Sequence, residues 1–291
     1  MTHTMALPRV ASYDPFNAVQ QYGGDGEKTK PALGKPAVKV LASTAEPTVG
    51  EVALKWLKDA SGVKNLILKP MYTLADWIFT FLPSATGIKH VAVVGKQAKN
   101  MMSGAEIPGK TVEAVQAVAE FGEKADISNF GKLANKVGLL TVPVIEFVRV
   151  ISDIVQPMAA ATARAVSTVF NSALVFTTGY DTAKQLKDIG TVEKEADEKL
   201  KKKGLDSERV IAARDAQVTQ SWLAVGMNVS YFAIGVLGLA SLFAGVVVAP
   251  WIILGLATSG LVFTVLKHFQ KNIAVEPALA RVHAAPAEGT V

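Results

Sequence analysis

The chain has 291 residues, of which 50% are hydrophobic and only 19% are charged, and its mean hydropathy is +0.30. Soluble domains carry about 25% charged residues, so this composition favours a membrane protein. The net charge of +5 is modest and the basic residues do not alternate with aromatic ones, so no nucleic-acid partner is expected. The absence of cysteine excludes disulfides, thiolate metal sites and a cysteine nucleophile.

Residues 1–46 are rich in Gly, Pro and Lys and have no sustained period, which predicts a disordered N-terminal arm. They contain no apolar run long enough for the core of a signal peptide. Order is predicted to begin at Thr48, which can form a capping box with Glu51 and open a short amphipathic helix. An amphipathic helical region is expected to follow and to extend over residues 47–180.

Apolar spacing predicts several helices inside this region. Residues 71–82 are too few to cross a bilayer and fit a buried or interfacial helix. Residues 87–102 are ambiguous between strand and helix, and helix is favoured. A clearer helix is expected over residues 111–124, where valines recur on one face, and a long apolar helix over residues 128–157, kinked or broken near Pro143. Another helix is expected after Pro157.

Residues 181–215 carry nine acidic and nine basic side chains, which predicts a charged helical linker. Lys201, Lys202 and Lys203 crowd its middle, where lysines favour the end of a helix. The cluster is a candidate contact for anionic lipid or for a protein partner.

Residues 216–266 form a run of 51 residues without Asp, Glu, Lys, Arg or His, interrupted by Pro250. One span needs about 20 residues, so the run is long enough for two spans and a turn. Its Leu, Ile, Val and Phe residues favour insertion by roughly −3 to −6 kcal/mol in the first half and about −3 to −5 kcal/mol in the second. We therefore predict a transmembrane hairpin over residues 216–271 and a flexible tail over residues 272–291.

Residues 137–176 are nearly as apolar but contain four charged side chains, which would cost on the order of +10 to +14 kcal/mol at the bilayer centre. This segment is expected to stay out of the membrane core unless its charges face a polar cavity. Glu146, Arg149 and Asp153 follow at helical spacing, which favours a surface ion-pair ladder over a buried polar relay.

Basic residues flank both ends of the charge-free run, whereas its central turn has no charge. The positive-inside rule then predicts that both termini are cytoplasmic. The candidate anchor residues are Trp222 and Phe269 at the cytoplasmic interface, Trp251 at the far interface, Pro250 at the turn and Lys267 after the second span.

Residues 103–111 match the spacing of a phosphate-binding loop, with Gly104, Gly109, Lys110 and Thr111 at the key positions. Such a loop needs a strand directly before it, and none is predicted there. Glu106 and Pro108 also oppose phosphate binding, so an ordinary turn before a helix is favoured. If the pattern did bind a nucleotide, Lys110 would contact the phosphates and Thr111 would bind a magnesium ion. The four histidines are scattered, and no metal or cofactor is expected.

The fold class expected is mainly α, with a helical cytoplasmic region followed by a C-terminal two-helix transmembrane hairpin. The leading hypothesis is a non-enzymatic membrane-anchored protein that contacts a protein partner or shapes the bilayer, with a homo-oligomer left open. The hydropathy profile of residues 216–271 resembles that of reticulons and of bilobed inclusion-membrane proteins of intracellular bacteria. The alternatives are a pore former, since an apolar hairpin among amphipathic helices resembles colicin-type toxins, and a membrane-tethered nucleotide hydrolase.

Overall fold

The computed structural model describes residues 47–84, 86–155, 158–201 and 207–283. Across these residues the regular structure is helical and no strand occurs, which confirms the mainly α class. The predicted N-terminal arm, Lys202, Lys203 and residues 284–291 lie outside the described residues.

Ten α-helices follow one another in these described residues. Their bounds are α1 Val49–Trp56, α2 Ala60–Val63, α3 Lys69–Phe81, α4 Thr86–Gly104, α5 Ile107–Glu123, α6 Ile127–Val155, α7 Ala160–Leu200, α8 Ser207–Ala244, α9 Pro250–Gln270 and α10 Glu276–His283. Two π-helical turns, Lys64–Leu68 and Lys271–Val275, join α2 to α3 and α9 to α10.

Local sequence signals account for several of these helices. The capping box at Thr48 is confirmed, because its side chain accepts from the backbone N–H of Glu51 and the Glu51 carboxylate accepts from the N–H of Thr48 at 2.9 Å. The ambiguous segment 87–102 is helical, as favoured. Of the kink or break expected near Pro143, the break is wrong, because α6 continues through this proline. Its neighbours Val142 and Ile145 are buried in the main core, and this packing holds the helix on both sides of Pro143.

Two segments differ from the predicted domain limits. The charged segment 181–215 is not a separate unit, because α7 runs across its first boundary and α8 across its second. Residues 272–283, expected to belong to a flexible tail, are helical, and α10 packs against α8. Their short apolar side chains reach a surface that α7 and α8 form together, which hydropathy along one helix does not reveal.

The main core lies between α6, α7, α8 and α9. Its buried members are Leu139, Val142, Ile145, Phe170, Leu174, Met227, Tyr231, Ile234, Ile253 and Ala257. The N-terminal helices pack around this core, with α3 against α4 and α9 and with α4 against α6. Trp77 of α3 donates its indole N–H to the Thr258 hydroxyl of α9 at 3.0 Å. The apolar hairpin is therefore part of the bundle and does not stand apart from it.

Close contact between α8 and α9 requires glycine at residue 260. A Cβ added to Gly260 would lie 2.6 Å from the ring of Tyr231, which is fully buried. By contrast, a Cβ at Gly255 on the same helix would meet nothing within 4 Å. The two glycines form a matched pair for testing this packing.

We expect Gly260→Ala to destabilise the protein by about 1–3 kcal/mol relative to Gly255→Ala, because the added methyl group overpacks the contact with Tyr231. Both substitutions gain about the same helix propensity, roughly 1 kcal/mol, so that term cancels in the comparison. Thermal unfolding of the purified variants in one detergent measures the difference. Equal midpoints for the two variants would contradict the close α8–α9 packing.

Candidate membrane anchor and adjoining polar cluster

The hairpin turn is specified by two residues with restricted or unusual backbone preferences. Gly245 has a φ of +63°, the left-handed conformation that commonly ends a helix and that glycine adopts without strain. Pro250 is the first residue of α9, where its missing N–H costs nothing. Between them Val247 is 95% exposed. The chain therefore reverses direction through an uncharged and accessible tip.

The hairpin presents many apolar side chains on its outer surface. Its large exposed residues are Trp222, Val229, Phe232, Val236, Phe243, Val246, Val247, Trp251, Val262 and Leu266. By length and composition, the helices over residues 207–244 and 250–282 are apolar enough to cross a membrane. In their most apolar windows only 44% and 33% of the residues are buried, so more than half of each remains accessible to a surrounding solvent or lipid.

On the bundle side α7 packs along α8 and α3 packs against α9, while buried side chains of α6 join the same core. Asn171 of α7 is fully buried against Gly238 of α8 and donates to the Ser167 carbonyl at 3.0 Å. At the same level, the Arg149 guanidinium of α6 donates to the Ser167 hydroxyl at 3.0 Å and lies over the ring of Phe170. The hairpin thus packs against helices that carry charge, and large apolar side chains remain exposed on the rest of its surface.

The predicted anchor residues lie at both ends of this hairpin. Trp222 in α8 and Trp251 at the start of α9 are 54% and 55% exposed. Lys267 is in the last turn of α9. Phe269 is half-buried and makes an edge-to-face contact with Trp56 of α1, with ring centroids 6.4 Å apart. Of the three predicted contact lysines, Lys201 lies in the described residues, where it is the exposed C-cap of α7.

A cluster of buried charged residues lies beside the hairpin, where three elements meet: helix α4, helix α6 and the π-turn that precedes α3. Lys99 of α4 forms a buried ion pair with Glu146 of α6, and the second Glu146 oxygen accepts from the Ser103 hydroxyl at 2.6 Å. The surface ladder expected for Glu146 is therefore wrong, since this carboxylate is only 1% exposed and points at α4. Lys64 forms a second ion pair with Glu106 at 2.8 Å.

Lys69 is the third lysine of this cluster and is 1% exposed. No hydrogen-bond acceptor lies within reach of its Nζ atom among the described residues. Burial and the charges of Lys64 and Lys99 together lower the pKa of Lys69 well below its usual value. Burial also lowers the pKa of Lys99 to about 8, although Glu146 opposes that shift. Lysine is the residue expected to respond to burial in this way.

Sequence reasoning missed this cluster. The spacing of Lys99 and Ser103 places both on one face of α4, and this spacing was available in the sequence. What the sequence lacks is any sign that this face meets α6 rather than water. A lysine within an amphipathic pattern is ordinarily assigned to the exposed face.

The residues of the phosphate-loop pattern are divided between two helices. Gly104 is the last residue of α4, where an added Cβ would lie 2.7 Å from the ring of Phe147. Gly109 and Lys110 lie in the first turn of α5, and Lys110 pairs with Glu113 at 3.2 Å. The exposed Thr111 donates its hydroxyl to the Ile107 carbonyl at 2.8 Å. A helix, not a strand, precedes the pattern.

Comparison with known proteins finds no matching protein-family model, no matching curated protein and no matching solved structure. The class is therefore stated from the molecule itself. This is a mainly α-helical protein with two consecutive helices long and apolar enough to cross a membrane.

We expect Lys69→Met to stabilise the protein by about 1–3 kcal/mol, because it removes a buried amine that lacks an acceptor. At pH values between the depressed pKa of Lys69 in the folded state and its ordinary pKa of 10.5, the unfolded state binds more protons than the folded state. Stability should therefore rise with pH across that window in the wild type, and less steeply in Lys69→Met. Thermal unfolding at a series of pH values measures both effects.

Lys64→Met is the matched control, because it removes an equally buried lysine that does have a carboxylate partner. It should lower stability, because it removes the partner of the Glu106 carboxylate. The loss should be smaller than the about 3–5 kcal/mol typical of fully buried pairs, since Glu106 is 18% exposed. If both substitutions changed the stability in the same direction, the difference in pairing between Lys64 and Lys69 would be contradicted.

Proposed function

We propose that this chain is a non-enzymatic integral membrane protein anchored by the α8–α9 hairpin. In the membrane the remaining helices and both termini lie on the cytoplasmic side, where they contact a protein partner or shape the bilayer. This position requires α7 to separate from the tip of the hairpin, because Arg164 of α7 donates to the Leu242 carbonyl there at 2.7 Å. The observation that carries this proposal is the uncovered apolar surface of a hairpin that contains no charged residue over residues 216–266. Contiguous apolar patches of this extent are rare on monomeric soluble proteins and mark membrane or protein contact.

The arrangement of aromatic and basic residues supports the same assignment. Trp222 and Trp251 are half exposed toward opposite ends of the hairpin, as expected for side chains at two membrane interfaces. Lys267 and Lys271 follow the second span, while the tip has no charge. This asymmetry favours a hairpin whose tip faces the far side of the membrane.

The helices outside the hairpin support an interaction role. On α5 the buried residues are Ala114 and Ala117, whereas Val112, Val115 and Val118 are each more than half exposed. The valine face predicted from the sequence therefore points away from the bundle. Such a face, carried on a helix near the membrane, is suited to bind an amphipathic helix of a partner.

Val247→Cys tests the topology, because the native chain has no cysteine and Val247 is 95% exposed at the tip. We expect an impermeant thiol reagent, added from the cytoplasmic side, to leave this cysteine unlabelled until the far compartment is opened. Alkaline carbonate should leave the protein in the membrane pellet. Lys201→Cys is the matched control, since this exposed residue should be labelled from the cytoplasmic side at once.

Labelling of both cysteines from the cytoplasmic side would overturn the proposed topology. Release of the intact protein into the carbonate supernatant would overturn integral anchoring altogether.

A second candidate function, a pore former with a conditionally inserted hairpin, is favoured by the packing of α7 along α8. Arg149 lies at the depth of the hairpin, and Arg164 donates to the Leu242 carbonyl in the last turn of α8 at 2.7 Å. Each arginine would cost roughly 2.5–3.5 kcal/mol at the centre of a bilayer. Insertion of the hairpin alone would therefore require α7 to separate from α8.

An engineered disulfide between α7 and α8 distinguishes the two candidates. A Cβ at Gly235 would lie 2.8 Å from the Cγ2 atom of Val175. The two Cβ atoms thus lie within about 4.3 Å, a separation suited to a disulfide. If the hairpin inserts conditionally, oxidised Val175→Cys/Gly235→Cys protein should fail to release dye from liposomes, and reduction should restore the release.

The reduced double variant is the control for the two substitutions themselves. Dye release that is equal in the oxidised and reduced forms would show that α7 and α8 do not separate. Absence of dye release by wild-type protein would remove the pore-forming candidate.

A further inference from the structure

A cavity of about 340 Å³ lies where α1, α5, α8 and α9 meet. Lysines from two distant parts of the chain line it. Lys110 belongs to α5, whereas Lys267 lies at the end of α9 and Lys271 in the π-turn that follows. Its volume is within the range of about 300–1,000 Å³ that is usual for small-molecule sites. It adjoins the end of the charge-free run, which stops at Leu266.

The two carboxylates that line this cavity are bonded to lysines that do not line it. Glu106 pairs with Lys64 at 2.8 Å, and Glu113 pairs with Lys136 at 2.7 Å. Lys64 is fully buried, so it neutralises Glu106 from behind the cavity wall. Three lysines and two carboxylates line the cavity, so its lining carries a net positive charge.

Acids on the surrounding helices do not reverse this balance. Asp181 of α7 interacts with Lys267, and its charge is also met by Lys136 and Lys184. Lys110 shares the Glu113 carboxylate with Lys136, at 3.2 Å and 2.7 Å respectively. The lysines named in these contacts outnumber the carboxylates, which favours an anionic ligand.

Another part of the cavity lining is aromatic and ordered by hydrogen bonds. Trp56 stacks on His268 with ring centroids 3.7 Å apart and an angle of 10° between the planes. The Trp56 indole N–H donates to the Ser61 hydroxyl at 3.1 Å, and Asn65 donates to the Ser61 carbonyl at 2.8 Å. Trp56 and Asn65 are buried, at 6% and 2% exposure, so this wall is built before any ligand binds.

The first turn of α5 adds a further favourable feature. Gly109 lines the cavity, and no atom lies within 4 Å of the position that a Cβ would take there. The ligand can therefore approach the backbone of this turn closely. The start of a helix carries partial positive charge, but Pro108 supplies no N–H here, so the lysines carry most of the attraction for an anion.

We propose that this cavity binds a phosphate monoester, through Lys110 and Lys271, with the Trp56–His268 stack as part of its wall. The ligand is either the headgroup of an anionic lipid or a free phosphate compound, since both offer the same chemistry. The lipid source rests on the proposed membrane anchoring, because the cavity adjoins the end of the hairpin where headgroups would lie. Binding of the phosphate group itself does not depend on that anchoring.

The test uses the full-length protein in an uncharged detergent and isothermal titration calorimetry. The probes are dioctanoyl phosphatidic acid, glycerol 3-phosphate and, as a neutral lipid, dioctanoyl phosphatidylcholine. We expect the first two to bind and the third not to bind. Lys110→Gln/Lys271→Gln should weaken binding at least about tenfold, because it removes two charge-assisted contacts.

Lys124→Gln/Lys132→Gln is the matched control, since it removes the same charge from lysines that are exposed and lie outside the cavity. It should change the affinity less than about twofold, as expected for screened surface charges. Glu113→Gln should strengthen binding severalfold, because it releases Lys110 from its carboxylate. A gain of affinity in this variant cannot result from misfolding.

Tighter binding of phosphatidic acid than of glycerol 3-phosphate would support the lipid source, and equal binding would support a free phosphate compound. Absence of binding by both phosphate probes would overturn the proposal, as would equal losses in the two double-lysine variants. Because calorimetry in detergent does not report membrane topology, failure of the carbonate test would leave these results unaffected. The two proposals can therefore fail separately.

Discussion

The packing of α7 along α8, in the bundle that α6, α7, α8 and α9 form, is the contact on which the rest of the structure depends. It buries Phe170, Leu174 and Ile234 almost completely, and most of the main core belongs to these four helices. Burial of apolar surface of this kind is the dominant stabilising term in water. In lipid, the same contact would depend on close helix packing and interhelical hydrogen bonds instead. The medium around the hairpin therefore decides how strongly α7 holds α8.

The buried charges beside this core oppose a purely hydrophobic description. Lys99 and Glu146 pair inside the bundle, and desolvation of such a pair offsets much of its attraction. Lys69 lies next to them at 1% exposure and lacks an acceptor among the described residues, so it is a local cost. We infer that the junction of α3, α4 and α6 is less stable than the apolar core.

The cavity near Trp56 lies between these two regions. It joins the first turn of α5 to the end of α9, and so connects the N-terminal helices to the hairpin. The phosphate-loop pattern contributes only Gly109 and Lys110 to it, while Gly104 packs on Phe147. The lysine of the pattern thus faces a site of different construction from a nucleotide loop, one completed by Lys267 and Lys271 from a distant part of the chain.

The sequence by itself determined the mainly α class, the capping box at Thr48 and the uncharged run with a turn at Pro250, because these depend on local spacing and composition. Only the tertiary structure decided that α6 continues through Pro143, that Glu146 is buried against Lys99, and that the valine face of α5 points outward. Each of these depends on which helix faces meet. Side chains of one helix share a pattern whether they face water, lipid or another helix, so periodicity cannot distinguish these environments.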